Sequence, residues 1–583
     1  MAKHKASGAK PLVNCKVDDA EWDLLRVLAE DLSPYVDRND CKVMRQIAAR
    51  KNFSDYETLG EYWGLQSIDP THHLSTTRRD ASLYLFSSFL SKWVDTSAQE
   101  DLVKPTLDLF YDYERHCREY NREGYRALTW SEDPEIQLYY KRMLQFIDSV
   151  LGVLDMRTIY KYAKFSTGAT VKSTRKYGNR FFKYRNVPYE VTERAIPFAR
   201  AAIAHDERWV NRLEKHFKLP FSEIANSQLF QVVPGNVMDF VPKSRKILRT
   251  IAKEPSVNMY NQLGVHGYLT MRLKKFGINI EDQSVNQRFA KLGSIDNSIA
   301  TFDLKGASGT VTCRIVEKLI SHSWLNLLYA LRSDVGTLPD GTVHNYEMFS
   351  SMGNGYTFAL ETLIFSAAVY AVGGKLGVDS HVYGDDIIIP TVLAAKLSKL
   401  ISACGFIPNT EKSFFLPTFT RESCGHDYLA GVNIRPVFLK VSLGQQNLFQ
   451  LCTLHNRLWQ WWCRIIGDPD RPQVLEKILR LVPVRFHAYG PPKEDDISSY
   501  FAVPKPCARN TIYGYQHDRI TIVKNTYEVE PCNFDWNTLN HSLADCSSDE
   551  GSQFDVSLSG DYRIRIQRNA SHSYEWPATY NLA

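Results

Sequence analysis

The segment HVYGDDIIIP (381–390) sets two adjacent carboxylates, Asp385 and Asp386, between the apolar runs 381–383 and 387–389. That pattern predicts a tight hairpin with acids at its tip. Gly-Asp is also ordinary hairpin punctuation, but neighbouring carboxylates repel, and setting them beside isoleucines is costly unless a cation neutralises them. A second strand-like run, 298–302, ends in Asp303 just before a helix, where an acid can equally cap that helix. If the two strands are neighbours in one sheet, Asp303, Asp385 and Asp386 converge as hard oxygen ligands suited to Mg²⁺, with Mn²⁺ as a substitute. Two such ions, about 3.5 to 4 Å apart, activate an attacking hydroxyl and stabilise a leaving pyrophosphate oxygen. The chemistry implied is phosphoryl or nucleotidyl transfer.

Such chemistry needs counter-charge for phosphates. PKSRKILRTIAK (242–253) carries Lys243, Arg245, Lys246, Arg249 and Lys253 and no acid, which suits a triphosphate or an RNA backbone; a solvated helix face is the plain alternative. A second run, 172–185, mixes Lys172, Arg175, Lys176, Arg180, Lys183 and Arg185 with Tyr177, Phe181, Phe182 and Tyr184. Cations and rings together suit a single-stranded template, and buried rings with exposed cations fit nearly as well. The loop SSMGNG (350–355), ahead of a helix starting near Tyr356, has glycines that allow close backbone approach to a ligand. It is neither a Walker loop nor a dinucleotide fingerprint.

The elements that position these residues follow from the pattern. Residues 296–436 alternate short strands with helices, including helices expected over 311–331 and over 392–404, the latter ended by Gly405. Helix-like apolar spacing dominates 20–165, and breaks fall at 234–236, 467–472, 490–492 and 544–553. With 583 residues, 44% hydrophobic and 23% charged, the chain is long enough for several lobes and too ordinary in composition for wholesale disorder. No apolar run reaches the roughly 20 residues of a membrane span, and the basic N-terminus lacks the apolar centre of a signal peptide, so the protein is expected to stay where it is made. Eleven cysteines with no C-x-x-C pair argue against a disulfide framework or zinc ribbon. A net charge of +5 is too mild to identify a polyanion partner, so only the local clusters argue for one.

Taken in order, VPKSRK, NQLGVHG, DQSVNQR (282–288), ATFDLKGAS, LPDGTV, SSMGNGYTFALE, VYGDDIIIP, GFIPNTEKSF and RESCGHDYLAGV closely resemble the RNA-directed RNA polymerase subunits (replicases) of the small RNA bacteriophages, the Q-beta-like leviviruses. The resemblance is strong from about 239 to 436. It implies an α+β right-hand polymerase with fingers, an antiparallel palm sheet with helices, and a thumb. Residues 1–170 would be a mostly helical region contributing to the fingers, 171–293 the fingers, 294–435 the palm and 436–583 the thumb and C-terminal region. It also implies Asp303, Asp385 and Asp386 as metal-binding catalytic residues and Lys243, Lys246 and Arg249 as triphosphate cations. Ser351, Gly353 and Asn354 match the nucleotide-facing loop, and Lys412 matches a general acid for the leaving pyrophosphate.

The partners implied are an RNA template and product, ribonucleoside triphosphates, host elongation factors Tu and Ts and a small-subunit ribosomal protein, in the cytoplasm of a bacterial host. One departure is Gly309, where relatives usually carry an aspartate that senses the sugar hydroxyl; Ser308 or Asn354 would then carry more of that discrimination, and Lys305 adds charge beside the site. The alternatives are a reverse transcriptase, a metal nuclease, or a noncatalytic RNA-binding scaffold. A Trp-rich segment, 458–462, reads as a docking surface or as buried packing.

Overall fold

A computed structural model describes residues 17–68, 76–93, 100–173, 180–227, 229–243, 247–410, 412–414, 418–440, 442–445, 447–467, 471–490, 500–501, 509–510, 514–524 and 562–570. The fold is α+β, with short, mostly antiparallel sheets set among many helices. Among the described residues, no helix is long and apolar enough to cross a membrane.

Two large apolar cores organise the helices. In the first, Trp22, Leu25 and Phe86 of the N-terminal helices join Trp459, Trp461 and Trp462 of the helix Leu448–Ile465 and Leu475 of the helix Gln473–Arg480. The Trp-rich segment is therefore buried packing: Trp461 is fully covered and its two neighbours nearly so. The second core surrounds the helix Thr357–Ala371, which is apolar on every side and buried along almost its whole length, as a central helix must be. The helices Pro134–Leu151 and Ser256–Lys275 pack on it. The described residues between 22 and 165 thus contribute to both cores.

Against the second core lies a three-stranded antiparallel sheet in the order Ile299–Phe302, Asp386–Pro390, His381–Tyr383. Ala300, Phe302, Ile387 and Ile389 face the central helix and its neighbours. Ile299 and Ile388 point to the other face, against Ala290 of the helix Ser284–Asp296 and Tyr428. Burial on both faces explains an unbroken isoleucine run where a half-exposed strand would alternate. A separate four-stranded sheet contains the antiparallel pair Asn236–Pro242 and Leu248–Lys253, extended by Val335–Thr337 and Val343–Asn345.

Two expectations change in detail. The helix over 311–331 is two helices, Cys313–Leu319 and His322–Leu331, because Ile320 and Ser321 take extended backbone angles; a β-branched residue followed by a serine favours such a break. The helix expected over 392–404 begins as a 3₁₀ turn, Thr391–Leu393, continues as Ala394–Ala403 and ends before Gly405 at φ +86°.

Candidate functional site

Tyr383 pairs with Asp386, so Gly384 and Asp385 form a two-residue hairpin turn. Gly384 has φ +62°, and a Cβ there would lie 2.4 Å from a ring carbon of Phe358, so only glycine fits. Its N–H donates to Thr362 Oγ1 at 3.0 Å, fastening the tip to the central helix. On the other side, Phe302 pairs with Ile387, so continuing the register by one residue sets Asp303 opposite Asp386. The three acids expected to converge therefore lie at one end of one sheet.

Asp303 and Asp386 are held from behind. Asn409 Nδ2 donates to Asp303 Oδ2 at 2.6 Å, Asn409 N–H donates to the Asp303 carbonyl at 2.9 Å, and Asp303 N–H donates to Ser413 Oγ at 3.2 Å. Ser423 Oγ and Cys424 N–H both donate to Asp386 Oδ1 at 3.2 Å. Burial raises the pKa of the Asp303 carboxyl, with Asp385 and Glu422 adding to the rise and Lys412 and the Asn409 bond opposing it. Asp386 is pushed up to about 7, first by burial and then by the charge of Asp385, with further contributions from Asp303 and Glu422. Glu361, buried on the central helix, is raised well above the usual carboxylate range by burial and by Asp385. These acids cannot all ionise cheaply without a cation.

The donor chemistry, three carboxylates at one sheet end, fits a hard divalent cation. Among the described residues, no three His, Cys, Asp or Glu side chains form a group that could hold a metal ion by themselves.

Cations reach this end from two directions. Lys243, just past the strand Asn236–Pro242, lies within electrostatic range of Asp303, Asp385, Arg249 and Lys412. Burial, Arg249 and Lys412 together lower its pKa. Arg249 lies on the strand Leu248–Lys253 and Lys243 just past its partner strand, rather than on a helix face. Lys412 follows the turn that ties Asn409 to Asp303, and Lys412 N–H donates to the Asn409 carbonyl. Lys243, Arg249 and Lys412 are all exposed, open to an anionic ligand. Lys246 lies outside the described residues.

The loop 350–355 is docked on the same strand pair. Ala252 N–H donates to the Met352 carbonyl at 2.7 Å, and Gly353, at φ +129°, leaves no room for a Cβ, which would lie 2.1 Å from the Ala252 carbonyl oxygen. Asn236 Nδ2 donates to Ser351 Oγ at 3.1 Å and to Glu254 Oε1 at 2.8 Å. Glu254, fully buried, also accepts from Gln262 Nε2 and Ser333 Oγ, while Gln262 Oε1 accepts from Gly355 N–H. Asn354 spends its Oδ1 on Tyr356 N–H, and its buried Nδ2 has no hydrogen-bond partner. Ser351, Gly353 and Asn354 thus sit beside the cationic strand, with no direct contact to the three aspartates among the described residues.

The run 172–185 behaves differently. Lys183 is 3% exposed and donates to the carbonyls of Ser166 and Gly168 at 2.8 and 2.6 Å, and Arg180 Nε donates to the Phe165 carbonyl at 3.0 Å. Tyr184 packs edge-on against Phe165 and Trp209. Neither Tyr184 nor these two cations present a nucleic-acid surface; Arg175, Lys176, Tyr177 and the side chains of Phe181 and Phe182 lie outside the described residues. Gly309 lies under Tyr113 of the helix Glu100–Glu119, whose ring carbon would be 3.2 Å from a Cβ there.

Sequence reasoning tracked charges and missed the neutral supports Asn409, Ser413, Asn236, Gln262 and Ser423. Several of them lie inside the segments that carry the resemblance, so motif membership was the available signal.

The RNA replicase, beta-chain, family model matches residues 58–575. Among curated proteins, the chain is 36% identical over 412 residues to the RNA-directed RNA polymerase subunit beta of Escherichia virus Qbeta, covering 69% of this chain and 66% of that one, just under two thirds of its length. It is 34% identical over 403 residues to the RNA-directed RNA polymerase beta chain of Escherichia phage MS2, covering 67% and 68%. Among solved structures, the insertion-loop deletion mutant of a human picobirnavirus RNA-dependent RNA polymerase covers 63% of this chain and 83% of its own, at 13% identity and a TM-score of 0.30.

Proposed function

The chain belongs to the RNA replicase beta-chain family, and on that premise we propose that it is the catalytic subunit of a viral RNA-directed RNA polymerase, extending an RNA 3′ end on an RNA template. The observation that carries this reading is the strand register that sets Asp303 opposite Asp386 at the Gly384–Asp385 turn, with Lys243 and Lys412 in electrostatic range. In this reading 294–435 is the palm, 171–293 the fingers, 436–583 the thumb and C-terminal region, and 1–170 contributes to the fingers.

Asp303, Asp385 and Asp386 would hold two Mg²⁺ ions, or Mn²⁺, with triphosphate oxygens and water completing the ligand set. Bound there, such ions would supply Lewis-acid chemistry, lowering the pKa of the 3′-hydroxyl and neutralising the triphosphate. The residues of the chain do the rest. The 3′-oxygen forms a bond to the α-phosphorus as the bond to the pyrophosphate oxygen breaks, and Lys243, Lys246 and Arg249 balance the charge gathering on the leaving group. Lys412 approaches the same region and acts as the acid that protonates the pyrophosphate. The loop with Ser351, Gly353 and Asn354 faces the nucleotide and template. The partners are RNA, ribonucleoside triphosphates, host elongation factors Tu and Ts and a small-subunit ribosomal protein, in the bacterial cytoplasm.

The test is extension of an RNA template-primer by purified protein with Mg²⁺, with labelled ribonucleotides in one arm and deoxyribonucleotides in the other, with and without the elongation factors. Ribonucleotide incorporation that falls at least about 10³-fold in Asp385→Asn is the expected result. Incorporation of deoxyribonucleotides alone would identify a reverse transcriptase, and shortened RNA a nuclease. Intact RNA binding without synthesis in either arm would leave a scaffold.

A further inference from the structure

Asn286 lies in the first turn of the helix Ser284–Asp296, within the DQSVNQR segment to which no chemistry has so far been attached, and it is fully buried. A buried primary amide must find partners for two donors and an acceptor. Asn286 finds all of them along one line that ends on an aspartate of the site. His381 Nδ1 lies 2.6 Å from Asn286 Oδ1, and Asn286 Nδ2 lies 3.2 Å from Ser423 Oγ and 3.0 Å from the Asp386 carbonyl oxygen. Ser423 Oγ in turn lies 3.2 Å from Asp386 Oδ1.

The direction of every bond follows from its far end. Asn279 N–H, a backbone group that can only donate, points at His381 Nε2 at 3.1 Å. Nε2 is therefore the acceptor of a neutral ring and Nδ1 carries the proton, which goes to Asn286 Oδ1. That orients the Asn286 amide with its NH₂ toward Ser423 and the Asp386 carbonyl. Ser423 Oγ, accepting from Asn286, has its own proton free for Asp386 Oδ1. Donors run one way from Asn279 through His381, Asn286 and Ser423 to the carboxylate, and His381 and Ser423 are each 1% exposed, so water does not scramble the order. With Cys424 N–H also on Oδ1, both hydrogen bonds fall on that oxygen and Oδ2 carries none among the described residues.

We propose that Asn286, acting through Ser423, is a positioning residue for Asp386: it fixes both the backbone and the carboxylate plane of that residue for a divalent cation. The inference rests on the polymerase reading of Asp386 as a metal ligand. Outer-shell hydrogen bonds of this kind orient metal ligands, and their loss typically weakens metal binding by about 10 to 100-fold.

The experiment is Mn²⁺ titration of the full-length protein followed by electron paramagnetic resonance, beside near-ultraviolet circular dichroism. Asn286→Ala and Ser423→Ala should each weaken Mn²⁺ binding about tenfold with an unchanged dichroism spectrum. The double variant should lose less than the two single losses multiplied, because both cut the same chain. Ser423→Thr, which keeps the hydroxyl, should bind as the wild type does. Wild-type affinity in Ser423→Ala, alongside lost binding in Asp386→Asn, would overturn the inference and leave the metal site standing. Unchanged binding in Asp386→Asn would overturn both. Affinity lost only in step with the dichroism signal would make Asn286 an ordinary core amide and end the proposal.

Discussion

Two cationic runs that look alike in the sequence have opposite fates in the fold. In 242–253, Lys253 pairs with Asp239 at 3.2 Å, but Lys243 and Arg249 stay exposed and stand within electrostatic range of each other, and Lys243 also of Asp303 and Asp385. In 172–185, Lys172 and Arg185 are exposed, but Lys183 and Arg180 turn inward and bond the backbone carbonyls of 165–168, and Tyr184 joins an aromatic cluster. Arg249 lies on a strand paired with Asn236–Pro242, whose backbone groups already satisfy one another, and Lys243 directly follows that partner strand, so both side chains are free to face a ligand. The second runs beside an irregular loop whose carbonyls lack a ladder, and a buried cation supplies the missing donors. What separates a ligand-binding lysine from a structural one is thus the state of the neighbouring backbone, which charge density along the chain does not reveal.

The contrast is broken or sharpened by exchanging the two kinds of lysine for neutral residues. The largest effect expected is on synthesis: Lys243→Ala should lower the rate of ribonucleotide incorporation on the order of 10²-fold while leaving the thermal midpoint unchanged. An unchanged rate would remove the ligand-facing half of the comparison. Next, Gly353→Ala places a Cβ against the Ala252 carbonyl in a backbone region closed to alanine, with strain of about 1–3 kcal/mol. It should raise the KM for nucleotide, because the loop must leave the cationic strand; steady-state kinetics with a folded variant would show it. Lys183→Met should do the reverse of Lys243→Ala. Orphaning the Ser166 and Gly168 carbonyls costs about 1–3 kcal/mol of stability, read by denaturant unfolding, while the folded fraction keeps its catalytic rate.

Much of the site was legible because its residues are charged and its turn residues special. The Gly384–Asp385 turn and the strand ending at Asp303 follow from period and punctuation; that the two strands are neighbours was a condition the sequence left open, and their pairing in one sheet is what brings the acids together. The helical character of 20–165 was equally readable from apolar spacing. Illegible were the tertiary choices: that Trp22 and Trp461 share one core across more than four hundred residues, that Lys183 is buried, and that Ile320 and Ser321 interrupt a helix. Neutral supports such as Asn409 and Gln262 escaped for a related reason. An amide has no sequence signature until its partners are known, and those partners are backbone atoms or side chains brought close by folding.

The smallest expected effect tests the burial of Lys183 directly. Burial lowers its pKa from an ordinary 10.5 to about 8, with Arg180 adding to the fall and Glu190 opposing it. Below pH 8 the amine is protonated in both folded and unfolded chains, and the cost of burying its charge is fully present. As pH rises from 8 toward 10.5 the folded protein releases a proton that the unfolded chain still holds, so the unfolded state binds more protons and stability increases. The neutral amine keeps two N–H groups for the Ser166 and Gly168 carbonyls, so the contacts survive the release. Since other groups also titrate in this range, the useful quantity is the difference in unfolding free energy between the wild type and Lys183→Met. Measured at pH 7.5 and again at pH 9, that difference should move in favour of the wild type by about 1 kcal/mol. A flat difference would mean that Lys183 titrates like a solvated lysine, and the division between the two cationic runs would then lose its structural half.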